Sequence, residues 1–502
     1  MCAKHTDTAE TEEVVARHRD VASEVLPDHT DLYIGGEWVT GGASSLEAVD
    51  PTTGERLTEV SAADADDIDR AVKAAWEAYD GEWGSTTAED RQDVLLEIAD
   101  RVEANLEDLA TLETLDNGKP LVESRADMRT VIDQFRYFAG IVQSDTGAVL
   151  SDDQRMGYTI REPYGVVGQI IPWNFPLSMA SWKLAPALAA GNCCVLKPAE
   201  QTPLSILRLM ELVDDVVPDG VVNVVPGDGR EAGAALTQHS DVRKLAFTGS
   251  TAVGKEIMRN AADNVVDVTL ELGGKSPVVV FPDADIDKAI DVVKFAIFAN
   301  AGECCTAGSR LFVHDEIAEE FLNQFVETVE DLTVGDPLSE GTDIGPQISD
   351  SEVKKTLEYV ETAIEGGGEL MTGGSYPSGQ AVSAGSFVEP TVIGNVPHDN
   401  PAVQEEIFGP VLETFTWTEY DEMMALVNDV DYGLSASVVT QDIDEAYQAA
   451  RDIEAGYVWI NQHHDVPSGL PFGGYKQSGI GRELAETTLE HYQQTKTINV
   501  GL

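Results

Sequence analysis

The sequence predicts an α/β protein built on a doubly wound parallel sheet, followed by a second α/β domain. Three observations predict it. From Gly165 onward, short apolar runs alternate with amphipathic stretches, the signature of strands joined by crossover helices. A second series of the same kind starts after Glu271. At 502 residues the chain is also too long for one hydrophobic core.

Residues 1–28 are polar and acidic, without the basic and apolar stretches of a signal peptide, and read as an acidic flexible tail. Segments 66–79 and 89–115 have the length and periodicity of helices packing on the sheet. Runs 166–171, 193–197, 222–225, 244–247 and 265–270 read as buried strands. Between them lie helical stretches, among them 204–217, bounded by Pro203 and Pro218, and 252–262. Beyond Glu271 the order is strand 277–281, helix 286–300, strand 310–314 and helix 316–332. No internal repeat is visible.

Composition narrows the partners. Acidic residues number 89 and basic ones 32, a net charge of −57 that disfavours nucleic acid and anionic membrane surfaces. A hydrophobic content of 42% argues against disorder, so the charge reads as adaptation of a folded protein to molar salt. The five cysteines show neither CxxC spacing nor a disulfide framework, and no metal site is expected. No run reaches the roughly 20 apolar residues of a membrane span; the stretch 182–196 is interrupted by Lys183 and Asn192. A cytoplasmic location is expected.

Two frames carry chemistry. Glu271 lies in Leu270-Glu271-Leu272-Gly273-Gly274-Lys275-Ser276-Pro277, and Cys305 in Gly302-Glu303-Cys304-Cys305-Thr306-Ala307-Gly308-Ser309-Arg310. A thiolate adds to a carbonyl carbon and splits one hard step into two. A carboxylate nearby then activates the water that hydrolyses the thioester. Alone, a Glu before a Gly-Gly turn is an ordinary loop carboxylate and an intracellular Cys an ordinary buried apolar residue. Together the frames resemble the signature segments of the NAD(P)-dependent aldehyde dehydrogenases, and the likeness runs from about residue 32 to 500.

The resemblance implies a Rossmann-like NAD-binding domain from 29–143 and 163–273, a catalytic domain over 274–475, and a bridging element from 144–162 and 476–502. It implies homodimers or homotetramers acting on a small aldehyde. Cys305 falls on the nucleophile and Glu271 on the general base. Asn174, in Ile171-Pro172-Trp173-Asn174-Phe175-Pro176, falls on the oxyanion donor beside the backbone N–H of Cys305. Such donors are worth about 2.7–4 kcal/mol in the transition state. Glu303 departs from the Gln common in the family, and a carboxylate near the thiol raises its pKa unless it turns away.

No G-x-G-x-x-G marks the cofactor strand. Phe247-Thr248-Gly249-Ser250-Thr251-Ala252-Val253-Gly254 stands in its place, where Gly249 and Ser250 open a helix whose N-terminus favours a phosphate. Lys197 and Glu200 resemble the clamp on the adenosine ribose. Glu200 would repel a 2′-phosphate, so NAD is expected rather than NADP. Glu406 falls on the nicotinamide ribose and Phe408 beside the ring, with Glu405 turned to solvent. The same matching adds Ile170, Pro172, Trp173, Gly229 and Leu272 to the cofactor site.

Glu271 argues for hydrolysis of the thioester rather than transfer to coenzyme A. Phe175, Met179, Trp182, Cys304, Thr306, Val466 and Phe472 match the channel-lining positions, mostly apolar and without a cationic anchor. Betaine aldehyde is an alternative substrate, since Phe175, Trp182 and Phe472 supply aromatic faces, although Val466 stands where such enzymes carry an aromatic residue. The tandem His463-His464 reads as loop. A catalytically idle protein on the same fold is the other alternative.

Overall fold

A computed structural model describes residues 8–144, 146–151, 153–378 and 385–501. Its first sheet has eight strands in the order Glu37–Val39, Leu32–Ile34, Val222–Val224, Cys193–Lys197, Val166–Ile170, Lys244–Thr248, Asp267–Glu271, Gly479–Ile480. The five central strands run parallel, and the edge pairs are antiparallel. Winding starts at Val166–Ile170, proceeds one way through Cys193–Lys197 and Val222–Val224, then resumes on the other side at Lys244–Thr248. The crevice between those two starting strands is where an open α/β sheet binds ligands. It opens at the segments after Ile170 and Thr248, the two loops singled out for the cofactor.

A second, seven-stranded sheet has the order Glu369–Thr372, Thr391–Gly394, Val411–Trp417, Arg310–His314, Pro277–Val280, Ser435–Val439, Tyr457–Ile460. It is parallel except at its first pair. Val278, Val279 and Val280 are fully buried, as a parallel strand covered on both faces requires. A three-stranded sheet pairs Gln493–Gly501 with Arg155–Pro163 over nine residues, with Val149–Ser151 at the far edge. No helix among the described residues is long and apolar enough to cross a membrane.

Four expectations need correction. The flexible tail is instead a helix, Thr8–Val25, with Val14, His18, Ala22 and Val25 buried along one face. His18 bridges Asp50 and Asp336 at 2.8 and 3.0 Å, so tertiary partners stabilise a helix of weak apolar character. The long helix 89–115 is two, Ala88–Ala104 and Leu106–Asn117. Asn105 divides them, its side-chain amide donating to the Arg101 carbonyl at 2.8 Å in place of a helical N–H. The strand begun at Val265 begins at Asp267, because Val265 closes the preceding helix in a left-handed conformation. The C-terminal bridging segment also divides. Residues 479–480 pair with Leu270 and Glu271 in the first sheet, Leu484, Leu489 and Tyr492 join its core, and only 493–501 form the small sheet.

Candidate active site

The helix Pro176–Ala189 is buried along its whole length, which pins the turn before it. Asn174 sits in that turn. Its backbone carbonyl accepts from Lys119 Nζ and Asn300 Nδ2, both at 2.9 Å, and its side-chain amide donates one N–H to the Glu303 carbonyl at 3.0 Å. An amide nitrogen has two hydrogens, so one remains for the cavity that Asn174 lines.

The nucleophile loop follows the helix Ile286–Phe298. Asn300, Ala301 and Gly302 have φ of 51°, 53° and 72°, three successive left-handed residues. That conformation costs roughly 1–2 kcal/mol per non-glycine residue and persists only where surroundings dictate it. Here the Asn300 N–H donates to Glu123 at 2.9 Å, and a side chain at 302 would meet the Gly409 carbonyl at 2.2 Å. The loop delivers Cys304 and Cys305 into the cavity, with Cys305 partly exposed. Among the described residues no hydrogen bond uses the Cys305 backbone N–H, so it too is available to an oxyanion.

Glu303 turns away from the thiols. It accepts from the Ile348 N–H at 3.0 Å and Gln347 at 3.5 Å, and burial pushes its carboxyl well above the usual range. The carboxyl next to the nucleophile in sequence is therefore aimed elsewhere, and burial favours its neutral form. The two thiols interact. Cys305, His464 and the Thr306 hydroxyl pull the Cys304 thiol down, while Cys304 and burial push Cys305 up.

Glu271, at the end of its strand, is 4% exposed, and its Oε2 has no partner. Burial, then Glu483, pushes its carboxyl well up; Lys183 and Arg482 act weakly in the other direction. Lys183 and Glu483 form a buried ion pair. Sequence reading missed both, although a Lys alone in the apolar run 182–196 was the available signal. It also missed Lys119, which lies 4.1 Å over the Phe175 ring while bonded to Asp127. His463 and His464, read as loop, both reach Thr306, His463 through its carbonyl and His464 through its hydroxyl.

One cavity of about 730 Å³ collects Asn174, Glu271 and Cys305, together with Phe175, Met179, Trp182, Cys304, Thr306, Val466 and Phe472. It extends past Pro172, Trp173, Gly249, Ser250, Leu272, Glu406 and Phe408. Trp182 and Phe472 meet edge to face at 5.3 Å, as do Trp173 and Phe408. Ile170, Lys197, Glu200 and Gly229 do not line it. The last three cluster apart: Lys197 Nζ lies 3.3 Å from Glu200, and a side chain at 229 would meet Glu200 at 3.4 Å. Ile170 and Lys197 both approach Gly233 beside them.

These residues fit a dinucleotide. Ser250 caps the helix Thr251–Asn264, leaving a helix N-terminus at the crevice. The Thr248 hydroxyl there is buried without a partner. Gly249 lines the cavity, and a side chain there would stand 2.5 Å from the Phe247 ring. Glu406 lines the cavity and accepts from the Gly274 N–H at 3.0 Å through one carboxyl oxygen. Glu405 is exposed and accepts from Tyr359.

Residues 38–498 match the sequence profile of the Aldehyde dehydrogenase family. The chain belongs to that family. It is 47% identical over 481 residues to an aldehyde dehydrogenase of Deinococcus radiodurans, covering 94% of this chain and 92% of the other. Aldehyde dehydrogenase B of Escherichia coli is equally similar, at 47% over 482 residues, 94% of this chain and 93% of the other. Among solved structures, the NAD+ complex of the Bacillus cereus aldehyde dehydrogenase superposes with a TM-score of 0.93 at 42% identity, over 96% of this chain and 98% of that one. Betaine aldehyde dehydrogenase of Staphylococcus aureus with NAD+ gives 0.94 at 40%, over 96% and 97%.

Proposed function

We propose that the protein oxidises an apolar aldehyde to its carboxylic acid with NAD, through a thiohemiacetal and a thioester on Cys305. One arrangement carries this reading: Cys305, Glu271 and Asn174, from three separate segments, face one cavity that continues into the crevice of the parallel sheet. The Cys305 sulfur attacks the aldehyde carbon. The resulting alkoxide takes the free N–H of Asn174 and the backbone N–H of Cys305. When bound, NAD supplies the acceptor for the hydride that leaves. Glu271 then takes a proton from the water that attacks the thioester, and the free acid departs.

The experiment is NADH formation with a panel of aldehydes in molar KCl, with and without coenzyme A. The expected product is free acid, formed at a rate coenzyme A does not change; formation of an acyl thioester would overturn the hydrolytic reading. No turnover of any aldehyde would favour the idle protein instead. Betaine aldehyde is expected to be a poor substrate. Lys119 already places a cation on one face of Phe175, and Val466 leaves the aromatic surround open.

Lys197 and Glu200 are proposed to hold the adenosine ribose hydroxyls, with Glu200 repelling a 2′-phosphate. Glu200→Gln or Glu200→Ser should relax discrimination against NADP, by about tenfold in the ratio of kcat/KM values, for a like-charge contact at a half-exposed site. Higher kcat/KM with NADP in the wild type would refute the clamp.

The net charge of −57 supports adaptation to molar salt, and the three-stranded sheet supports assembly into dimers or tetramers through its edges. Val149 and Leu150 on one edge are 73% and 71% exposed, more apolar surface than an unpartnered strand tolerates well. Self-repulsion falls as the Debye length shrinks to about 3 Å at 1 M salt, while surface ion pairs weaken. With 32 bases against 89 acids, the repulsion dominates. The melting temperature should therefore climb from dilute to molar KCl, with the oligomer dissociating at the dilute end. A flat or falling melting temperature would sink the salt reading alone.

A further inference from the structure

Glu303, the residue before the two thiols, is a hub whose side chain the reaction above leaves unused. Its backbone carbonyl accepts from the side-chain amides of Asn174 at 3.0 Å and Asn300 at 3.1 Å. Its carboxyl reaches a different segment. Oε1 accepts from the Ile348 N–H at 3.0 Å, and the Gln347 amide nitrogen lies 3.5 Å from the same oxygen. Gln347 Nε2 also donates to the Phe408 carbonyl at 3.1 Å. An amide nitrogen carries two hydrogens, so it serves both acceptors at once, and the shorter bond is the one to Phe408. The contacts thus run from the nucleophile loop, through residues 347–348, to the backbone of Phe408.

Phe408 needs that grip. Its φ of 63° is left-handed, a conformation that a phenylalanine keeps only where its surroundings impose it. Gly409, the next residue, passes so close that a side chain there would stand 2.9 Å from Gln347 Nε2 and 2.4 Å from Thr356 Oγ1. The Phe408 ring is half-buried, meets Trp173 edge to face and lines the cavity. Gln347 is itself fixed: it is buried, and its backbone N–H donates to the Ser386 carbonyl at 2.8 Å. Its Oε1 has no partner among the described residues, so the side chain is held by the bonds it donates. Residues 347–348 also lead into the helix Asp350–Glu365, which brings Glu352 and Lys355 to the same cavity.

We propose that Gln347 is a positioning residue for the nicotinamide end of NAD: gripped by Glu303 on the nucleophile loop, it holds the Phe408 backbone so that the ring stands beside the nicotinamide. The proposal rests on the reading of Phe408 as a cofactor contact. Its consequence is that the nucleophile loop and the nicotinamide wall share one set of hydrogen bonds, which keeps Cys305 and the cofactor in one frame. Leucine at 347 would fill the space but donate nothing. Phe408 would then be free to leave the left-handed conformation and carry its ring away from the cofactor. The adenosine clamp would not feel the change, because Lys197 and Glu200 lie outside the cavity and share none of these bonds.

The test is binding to the full chain in molar KCl without aldehyde: NADH followed by its fluorescence, and AMP, which lacks the nicotinamide half, by calorimetry. Gln347→Leu should weaken NADH by about tenfold, the usual worth of one buried hydrogen bond, and leave AMP within about twofold. Glu303→Gln keeps an oxygen for the Ile348 N–H and should hold NADH close to the wild type; a loss as large as in Gln347→Leu would refute the grip by Glu303. Unchanged NADH affinity in a folded Gln347→Leu would overturn the proposal. So would an equal loss of AMP, which would assign the change to loosening of the whole fold. If Gln347→Leu fails to fold, Gln347→Asn decides by the same readings, because its amide is one carbon too short to reach Phe408. Phe408→Leu, run alongside, separates the proposal from the reading beneath it. NADH weakened there but not in Gln347→Leu overturns the proposal alone. NADH unchanged in Phe408→Leu overturns the placement of Phe408 beside the nicotinamide, and the proposal with it. The double variant should bind NADH no more weakly than the weaker single one, since both break one contact, and additive losses would overturn the link between them.

Discussion

Cys305→Ala is expected to abolish NADH formation, including the first turnover, by a factor on the order of ten-thousandfold or more. Alanine leaves the loop in place, because residues 300–302 and their partners Glu123 and Gly409 hold it independently of the sulfur. What disappears is, among the described cysteines, the one sulfur that is partly exposed, and it lies beside an unused backbone N–H. Cys304→Ala should behave differently. It widens the cavity next to the acyl group, so preference should move toward bulkier aldehydes. Burst amplitude per subunit for both variants, with matched melting temperatures, checks the assignment. An inactive Cys304→Ala beside an active Cys305→Ala would reverse it.

Glu271→Gln is expected to give a full NADH burst and then stall, with steady-state turnover down by about two to four powers of ten, the usual worth of a positioned base. Glutamine keeps the shape of the carboxyl but cannot take a proton. The acylated Cys305 should accumulate and be visible as a mass increment on its peptide. The pH dependence has a definite sign. A base works in its ionised form, and burial raises the Glu271 carboxyl well above its ordinary value, so turnover in the wild type should rise with pH well past the range of a free carboxylate. Glu271→Gln should lack that limb. A variant that folds normally but loses the burst would place Glu271 in the first step instead.

Reading elements from sequence worked where a single physical rule dominates. Strands 193–197 and 310–314 were legible to the residue, because parallel strands covered on both faces are unbroken apolar runs. It failed where distant partners decide. The helix Thr8–Val25 depends on His18 meeting Asp50 and Asp336, residues 32 and 318 positions away. The division at Asn105 depends on a side chain competing with the backbone for the Arg101 carbonyl, which a periodicity reading does not see.

The same division holds for the site. Through their resemblance to family segments, the chain's own residues placed a thiol, a carboxylate and an amide in frames suited to acyl chemistry and implied an apolar channel. Local sequence suffices for that, because each frame is a turn or strand end whose glycines and prolines fix its path. Tertiary structure alone decided how each group is held. Glu303 and Glu271 are both buried carboxyls, yet one turns to Ile348 and Gln347 while the other faces the cavity with an unpaired oxygen. His464 reads as loop in the sequence and becomes a fixed ring only because Ala296 and Thr306, more than 150 residues earlier, hold its two nitrogens. Burial and hydrogen bonding set these environments, and both are properties of the packed neighbours rather than of the residue itself.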